Sequence, residues 1–440
     1  MSKLVEMKEF QSITGNAEYE NKKEYKYLPE PAFSQLISFV EEYAGTEDHA
    51  DAMEFMRVYK SKDRKAGTLV SVNNYVGLVQ LKCGYQVQIL PKIDFADDTK
   101  NVFLKMLKSL RDFPGKISTN ASLKTNKMNL YEIFISMYLE DVRILVKHGI
   151  KSAYVEQEDN LKFYKGKLKV GDHIKNNLLH KERFYVSYEE FLPDRAENRL
   201  VKSTLMKLQK ITSSAQNSKE IRQLLTAFEM VEPSGNYEKD ISKVTIDRNA
   251  KDYEMLVKWS KIFLFNKSFT NFSGNTVSRA ILFPMEKVYE SYVAQQIKKI
   301  FSPDGWKVSA QDKGYFLFEE KTNGSTKNIF KLRPDIVLRR DDVTVIMDTK
   351  WKRLIPDRGK NYGMTSGDMY QMYAYAKKYA NENMTPEVWL LYPMTEDMIE
   401  PLYFDSGDGV KVHAFFVNVA NIKNSLDKLK ETIEEVLQDE

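Results

Sequence analysis

One cysteine, Cys83, occurs in 440 residues, which excludes a disulfide framework and a thiolate zinc cluster. The five histidines (His49, His148, His173, His180 and His413) are scattered, with no pairing at metal-ligand spacing. Long apolar runs are missing as well. The longest, such as Val343–Met347 and Val388–Tyr392, are strand-sized, far short of the ~20 residues needed to cross a bilayer. Glu6 and Glu9 stand where a secretory signal needs its apolar stretch, so the expected compartment is the cytoplasm, with no membrane partner. No Gly-x-x-x-x-Gly-Lys-Ser/Thr occurs, so the chain supplies no nucleotide-binding P-loop of its own. There is no internal repeat, no low-complexity tract and no strong excess of one charge. A net charge of +4 permits nucleic-acid binding without arguing for it.

What is present is the composition of a soluble globular protein, 42% hydrophobic and 29% charged. A chain of 440 residues exceeds one ordinary core and predicts about two or three units. The pattern divides it into residues 1–150, 151–275 and 276–440. In the first segment, alternation from Leu69 to Ile93 predicts β-hairpins, and helices follow over 101–113 and 129–148, with Gly149 as a C-cap. The middle segment opens with short strands around 153–188 and turns helical over 197–208, 219–231 and 252–265. Lys162, Lys165, Lys167, Lys169, Lys175, Lys181 and Arg183 interleave there with Phe163, Tyr164, Phe184 and Tyr185. That stretch either follows a phosphate backbone or is a solvated ribbon surface. The polar run 266–279 is expected to be a linker or lid.

After it the order is a helix from Pro284 to about Ile300, a strand at Gly314–Glu319, a second over 328–339 and a third at Val343–Lys350. A helix from Asp368 to about Tyr379, strands Glu387–Tyr392 and His413–Val419, and an amphipathic helix over 424–438 complete it. This is a mixed α/β order, a self-contained last domain with helices flanking a mixed sheet. Asp335 follows Pro334 on one strand, and Asp348-Thr349-Lys350 ends the apolar run of the next. Strand alternation predicts Asp348 and Lys350 on one face and Thr349 on the other. Two neighbouring carboxylates repel unless a cation sits between them. With the Thr349 backbone carbonyl as a third oxygen, the pair suits Mg²⁺ and phosphodiester hydrolysis. Lys350 would orient or deprotonate water and stabilise charge on the phosphate. The alternative is a set of surface ion pairs on a hairpin.

Arg333-Pro334-Asp335-Ile336-Val337-Leu338 through Val345-Ile346-Met347-Asp348-Thr349-Lys350-Trp351-Lys352 resembles the PD-(D/E)XK nuclease core. More narrowly it resembles the McrC family, the nuclease subunit of McrBC-type modification-dependent restriction systems. Val76-Gly77-Leu78-Val79 through Ile89-Leu90-Pro91-Lys92-Ile93 is similar to that family's N-terminal hairpin. Asn160 to Leu168, Glu197 to Leu205, and Met285 to Val293 resemble its middle motifs and the helix opening its nuclease domain. The resemblance implies a restriction-endonuclease-like domain at 276–440, after an N-terminal α+β coupling domain and a helical middle region. It makes Asp335 and Asp348 the metal-binding acids, Lys350 the motif lysine and Glu290 the helical acid. Glu286 lies one turn earlier on the same face as Glu290. Gln371 and Tyr375 match the Gln-x-x-x-Tyr signature after the core strands.

The same resemblance implies partners. These are double-stranded DNA and a ring of McrB-like AAA+ GTPase subunits that binds the GTP, with residues 1–150 docking to it and stimulating hydrolysis. The expected activity is Mg²⁺-dependent DNA cleavage, with Mn²⁺ able to substitute, in defence against foreign and methylated DNA. LlaJI-type systems, which cut unmethylated sites, are an alternative branch. A GTPase-activating scaffold and an autonomous DNA-repair nuclease are competing classes.

Overall fold

The computed structural model describes residues 3–44, 56–110, 113–114, 128–244, 251–265, 277–322, 325–381 and 384–438. Two compact units emerge, one formed by Met1–Phe113 with Gly274–Glu440 and one by Pro114–Ser273. These units divide the chain differently from the three segments 1–150, 151–275 and 276–440. The reason is strand pairing, which joins the two ends of the chain in one sheet.

The first unit begins with β1 (Leu4–Lys8), β2 (Ser12–Thr14), β3 (Lys26–Tyr27), α1 (Ala32–Ala44), β4 (Met56–Lys60), β5 (Thr68–Val72), β6 (Tyr75–Leu81), β7 (Gln86–Leu90) and α2 (Thr99–Leu107). Four of these strands make a small sheet ordered β3-β2-β5-β4. The other sheet is ordered β1-β7-β6-β11, and its last strand, β11 (Val277–Pro284), comes from the far side of the second unit. Gly77 permits that junction. Its φ is +148°, and a Cβ there would sit 1.9 Å from the carbonyl oxygen of Ile281 on β11, so no other residue lets the two backbones approach. The expected linker 266–279 therefore ends inside a strand, while 266–276 lie outside the described residues.

Beyond β11 come α9 (Met285–Phe301), β12 (Lys307–Ala310), β13 (Phe316–Thr322), β14 (Ser325–Lys331), β15 (Ile336–Arg340) and β16 (Val343–Thr349). Then follow α10 (Ser366–Tyr379), β17 (Glu387–Pro393), β18 (Leu402–Asp405), β19 (Lys411–Val417) and α11 (Ile422–Gln438). The central sheet is ordered β12-β15-β16-β17-β19-β18. It is mixed as expected: β16, β17 and β19 run parallel, and the outer pairs antiparallel. Helix α10 covers one face, and α9 and α11 pack on the other. Val345, Ile346 and Met347 of β16 are fully buried, which is what a central strand of unbroken apolar residues requires. The expected single strand over 328–339 is two elements. Phe330 takes φ +56° near the end of β14, and Pro334 precedes β15. As a result β13 and β14 form a separate hairpin, and β12 takes the sheet edge.

The second unit holds α3 (Leu130–His148), β8 (Ala153–Leu161), β9 (Lys167–Leu168), α4 (Val170–Asn177), β10 (Phe184–Leu192), α5 (Ala196–Gln209), α6 (Ala215–Leu225), α7 (Tyr237–Lys243) and α8 (Lys251–Phe265). Helix α3 starts on the Asn129 side chain, which accepts the Glu132 N–H, and ends at Gly149 with φ +88°. Tyr138, Trp259 and Phe263 are buried between α3 and α8. The three-stranded ribbon is ordered β8-β10-β9, and a helix, α4, interrupts the stretch expected to be all strand. Within the lysine-rich stretch, Lys165 pairs with Glu190 at 3.6 Å and Lys169 with Glu158 at 2.6 Å.

Because β11 closes the β1-β7-β6 sheet, we expect residues 277–440 alone to lose cooperative thermal unfolding by circular dichroism. A chain in which a flexible linker replaces 115–273 should retain it. A cooperative melt from 277–440 alone would contradict this division.

Candidate active site

The two motif acids meet because of strand register. Ile336 pairs with Met347 across the antiparallel β15–β16 ladder, so Asp335, one step before β15, stands beside Asp348. Asp348 is 2% exposed at the end of the central strand. Its Oδ2 lies 2.7 Å from Lys350 Nζ and takes no further hydrogen bond among the described residues. Lys350 Nζ also donates to Gln371 Oε1 at 3.0 Å, and Gln371 Nε2 donates to the Tyr375 hydroxyl at 2.8 Å. Both come from α10, whose capping box (Thr365 with Asp368) fixes its first turn. Asp368 itself stands 3.8 Å from the Lys350 ammonium.

Asp335 is held differently. Its Oδ2 accepts the backbone N–H of Thr349 at 2.7 Å and the Thr349 hydroxyl at 2.6 Å. This corrects the expected alternation: β16 ends at Thr349, and its side chain turns toward Asp335. Glu290, from α9, accepts a hydrogen bond from Gln311 Nε2 at 2.9 Å. The Gln311 N–H donates to the Asp335 carbonyl at 2.8 Å. Asp335, Asp348, Thr349, Lys350, Glu290 and Gln371 all line one cleft of about 880 Å³. Glu286 lines it too, but its carboxylate accepts from Asn74 at 3.0 Å.

The electrostatics follow from burial. Desolvation, then repulsion by Asp335, pushes the Asp348 carboxyl up to about 7. Burial raises Asp335 despite the Thr349 hydrogen bonds. Burial and then Asp335 raise Glu290. Burial opposes the Lys350 charge, yet the attraction of Asp348 and then Asp368 holds its pKa above the ordinary lysine value.

The residues expected to form the metal site, with Glu290 and Gln371, therefore line this cleft, and Tyr375 braces Gln371, whereas none of the basic residues of 162–183 is among its lining. Gln311 and Asp368 were missed. Asp368 reads in sequence only as a helix cap, and Gln311, with φ +48°, carries no local signal at all. Glu9 was missed too. It is fully buried in the turn after β1, and both its carboxylate oxygens accept the Trp351 indole N–H, at 3.1 and 3.2 Å. One residue beyond Lys350, the segment that follows β16 is thus tied to the turn after β1. Arg353 adds a bidentate pair with Asp94 at 2.9 and 2.7 Å.

The donors fit a hard divalent cation. The cleft lining holds carboxylates and no histidine or cysteine, and Asp348 carries a buried oxygen that only an ammonium touches. Among the described residues no three of His, Cys, Asp or Glu converge closely enough to hold an ion by themselves. Water or substrate oxygens would have to complete the shell. No described helix is long and apolar enough to cross a membrane.

A family model described as "McrBC 5-methylcytosine restriction system component" matches residues 70–393. Among solved structures, similarity is found to a chain of the refined half-complex from a tetradecameric assembly of Thermococcus gammatolerans McrB AAA+ hexamers with bound McrC. The TM-score is 0.67 at 18% identity, covering 97% of this chain and 100% of that one. A chain of the Thermococcus gammatolerans McrBC complex gives 0.47 at 19% identity, covering 66% and 85%. Curated proteins give no match. The first likeness shows a shared fold over nearly the whole chain.

Burial pushes the Glu9 carboxyl up to about 8, against the hydrogen bonds from Lys92 and Trp351. Native Glu9 then holds its proton more tightly than the unfolded chain does. Its contribution to stability is greatest below the ordinary glutamate range and is lost as pH rises to about 8. Each unit of that window amounts to at most about 1.4 kcal/mol. In urea titrations at pH 5 and above 8, Glu9→Gln should lose less stability across the interval than the wild type. Equal losses would show that Glu9 is not the group responsible.

Proposed function

The chain belongs to the McrBC 5-methylcytosine restriction system component family, and on that premise we propose that it is the subunit that cuts DNA. The observation that carries this reading is Asp348, buried at the end of the central strand, paired with Lys350 and set beside Asp335 on an open cleft. In this reading the 276–440 region is a PD-(D/E)XK nuclease core.

Asp335, Asp348 and the Thr349 carbonyl would hold Mg²⁺, or Mn²⁺ in its place. Such an ion, when bound, acidifies water and neutralises charge on the phosphate. The remaining work falls to side chains. Gln371 and Asp348 fix the Lys350 ammonium, which the surrounding carboxylates keep protonated. In this reading Lys350 serves as a cation toward a phosphate oxygen. Glu290, held by Gln311 and raised by burial, is the carboxylate placed to accept a proton from attacking water. A purely structural GTPase-activating scaffold would have no use for these buried acids, since each costs free energy to bury uncompensated.

The chain lacks a P-loop, so nucleotide chemistry would belong to a partner, an McrB-like AAA+ GTPase ring that binds GTP and delivers DNA. Residues 1–113 share a unit with the catalytic strands, so coupling assigned to the N-terminal segment would act directly on the site.

With partner, GTP, Mg²⁺ and plasmid DNA, Asp348→Ala and Lys350→Ala should each lower cleavage on the order of 10³-fold or more. Partner binding and stimulation of GTP hydrolysis should persist. Full cleavage by either variant would remove that residue from the mechanism, and efficient GTP-independent cutting by the chain alone would favour an autonomous nuclease.

A further inference from the structure

Phe10 stands out among the residues lining the cleft. It follows Glu9 in the turn between β1 and β2, with φ +64° and a side chain 49% exposed. A bulky residue in left-handed backbone is strained, and glycine would avoid that strain. The turn is nevertheless rigid. The Phe10 N–H donates to the Val72 carbonyl at 2.8 Å, and Val72 N–H donates to the Gln11 carbonyl at 3.2 Å. Glu9, one residue before, is buried against Trp351, one residue after Lys350. The backbone of the turn is thus tied to the segment that follows Lys350, and Phe10 lines the same cleft as Asp335, Asp348 and Lys350.

Besides the paired Lys350 and Arg353, three more cations share that lining. Lys92, Arg333 and Lys352 form no ion pair among the described residues. Lys92 is anchored to the same turn, because its N–H donates to Glu9 Oε2 at 3.1 Å. An exposed, strained aromatic on a hydrogen-bonded turn, in a cleft that also holds Lys92, Arg333 and Lys352, suits a nucleic-acid duplex. The cations would take phosphates, while the ring would enter between bases and unstack them.

Resting on the nuclease reading above, we propose that Phe10 is a wedge. It enters the base stack beside the scissile phosphate of double-stranded DNA, while Lys92 holds a neighbouring phosphate. Phe95 supplies an internal comparison. It has the same exposure, 49%, and a similar backbone, φ +61°, but it is not among the residues lining the cleft.

The test uses the full chain with its GTPase partner and a duplex carrying 2-aminopurine next to the cleavage position, with Ca²⁺ replacing Mg²⁺. Wild type and Phe95→Ala should raise 2-aminopurine fluorescence severalfold. Phe10→Ala and Phe10→Gly should abolish most of that rise, and Phe10→Trp should restore it. Phe10→Gly should melt within a few degrees of wild type, because relief of the left-handed strain offsets lost contacts. A merely structural Phe10 would not give that combination. Lys92→Ala should reduce the salt dependence of DNA binding by about one phosphate contact. No rise with wild type, an equal rise with Phe10→Ala, or a loss confined to GTPase-partner binding would each overturn the wedge. Plasmid cleavage in Mg²⁺ separates the two ideas. Wild-type cutting without a fluorescence rise removes the wedge and leaves the nuclease, and no cutting by wild type removes both.

Discussion

Everything in the first unit answers to one electrostatic constraint, a carboxylate buried at the end of the central strand with a second carboxylate beside it. Asp348 is nearly inaccessible, and Asp335 stands next to it through the β15–β16 register. Charge in such a place is unfavourable unless opposite charge or hydrogen bonds offset it. The surroundings show how the offset is divided. Lys350 answers Asp348, the Thr349 N–H and hydroxyl answer Asp335, and Gln311 answers Glu290. The offset is incomplete, since all three acids remain raised. Burial is the main cause of all three shifts, and in the proposed reading a divalent cation would offset it.

The N-terminal segment also braces this site. The loop after Lys350 must hold still if the ammonium is to stay between Asp348 and Gln371. Two long-range contacts hold it, Trp351 to Glu9 and Arg353 to Asp94. Tyr289, which precedes Glu290, packs its ring 5.2 Å from that of Trp351, so the helical acid and the strand lysine share one support. Beneath them β11 leads directly from the N-terminal sheet into α9. On the proposed reading, a signal received by the N-terminal strands would reach Lys350 and Glu290 through these contacts.

The mixed α/β order and the meeting of Asp335 with Asp348 were both legible in the sequence. Asp335, Asp348 and Lys350 could be placed because the apolar run Val343–Met347 fixes a central strand and its ending. Gln371 and Tyr375 were legible through the family resemblance, whose Gln-x-x-x-Tyr signature they match as an i,i+4 pair. The division into domains was not, because the partner of β11 lies some 200 residues earlier in β6 and no local pattern announces such pairing. The split of 328–339 was hidden in the left-handed Phe330, a conformation that propensity gives no reason to expect of phenylalanine. Helix α1 lay in a segment whose charged flanks masked Phe33, Leu36, Phe39 and Val40, all buried. Glu9 and Gln311 act on the site only through tertiary contacts, so composition and spacing could not have found them.

The central claim is that the Asp335–Asp348 pair exists to hold a metal against a DNA phosphate. Anomalous diffraction from crystals of the full chain with DNA and Mn²⁺ tests it directly. A manganese peak in contact with both carboxylates is expected, and it should vanish in Asp348→Asn crystals. A map with no anomalous density at Asp348, or with manganese bound only elsewhere in the cleft, would contradict it.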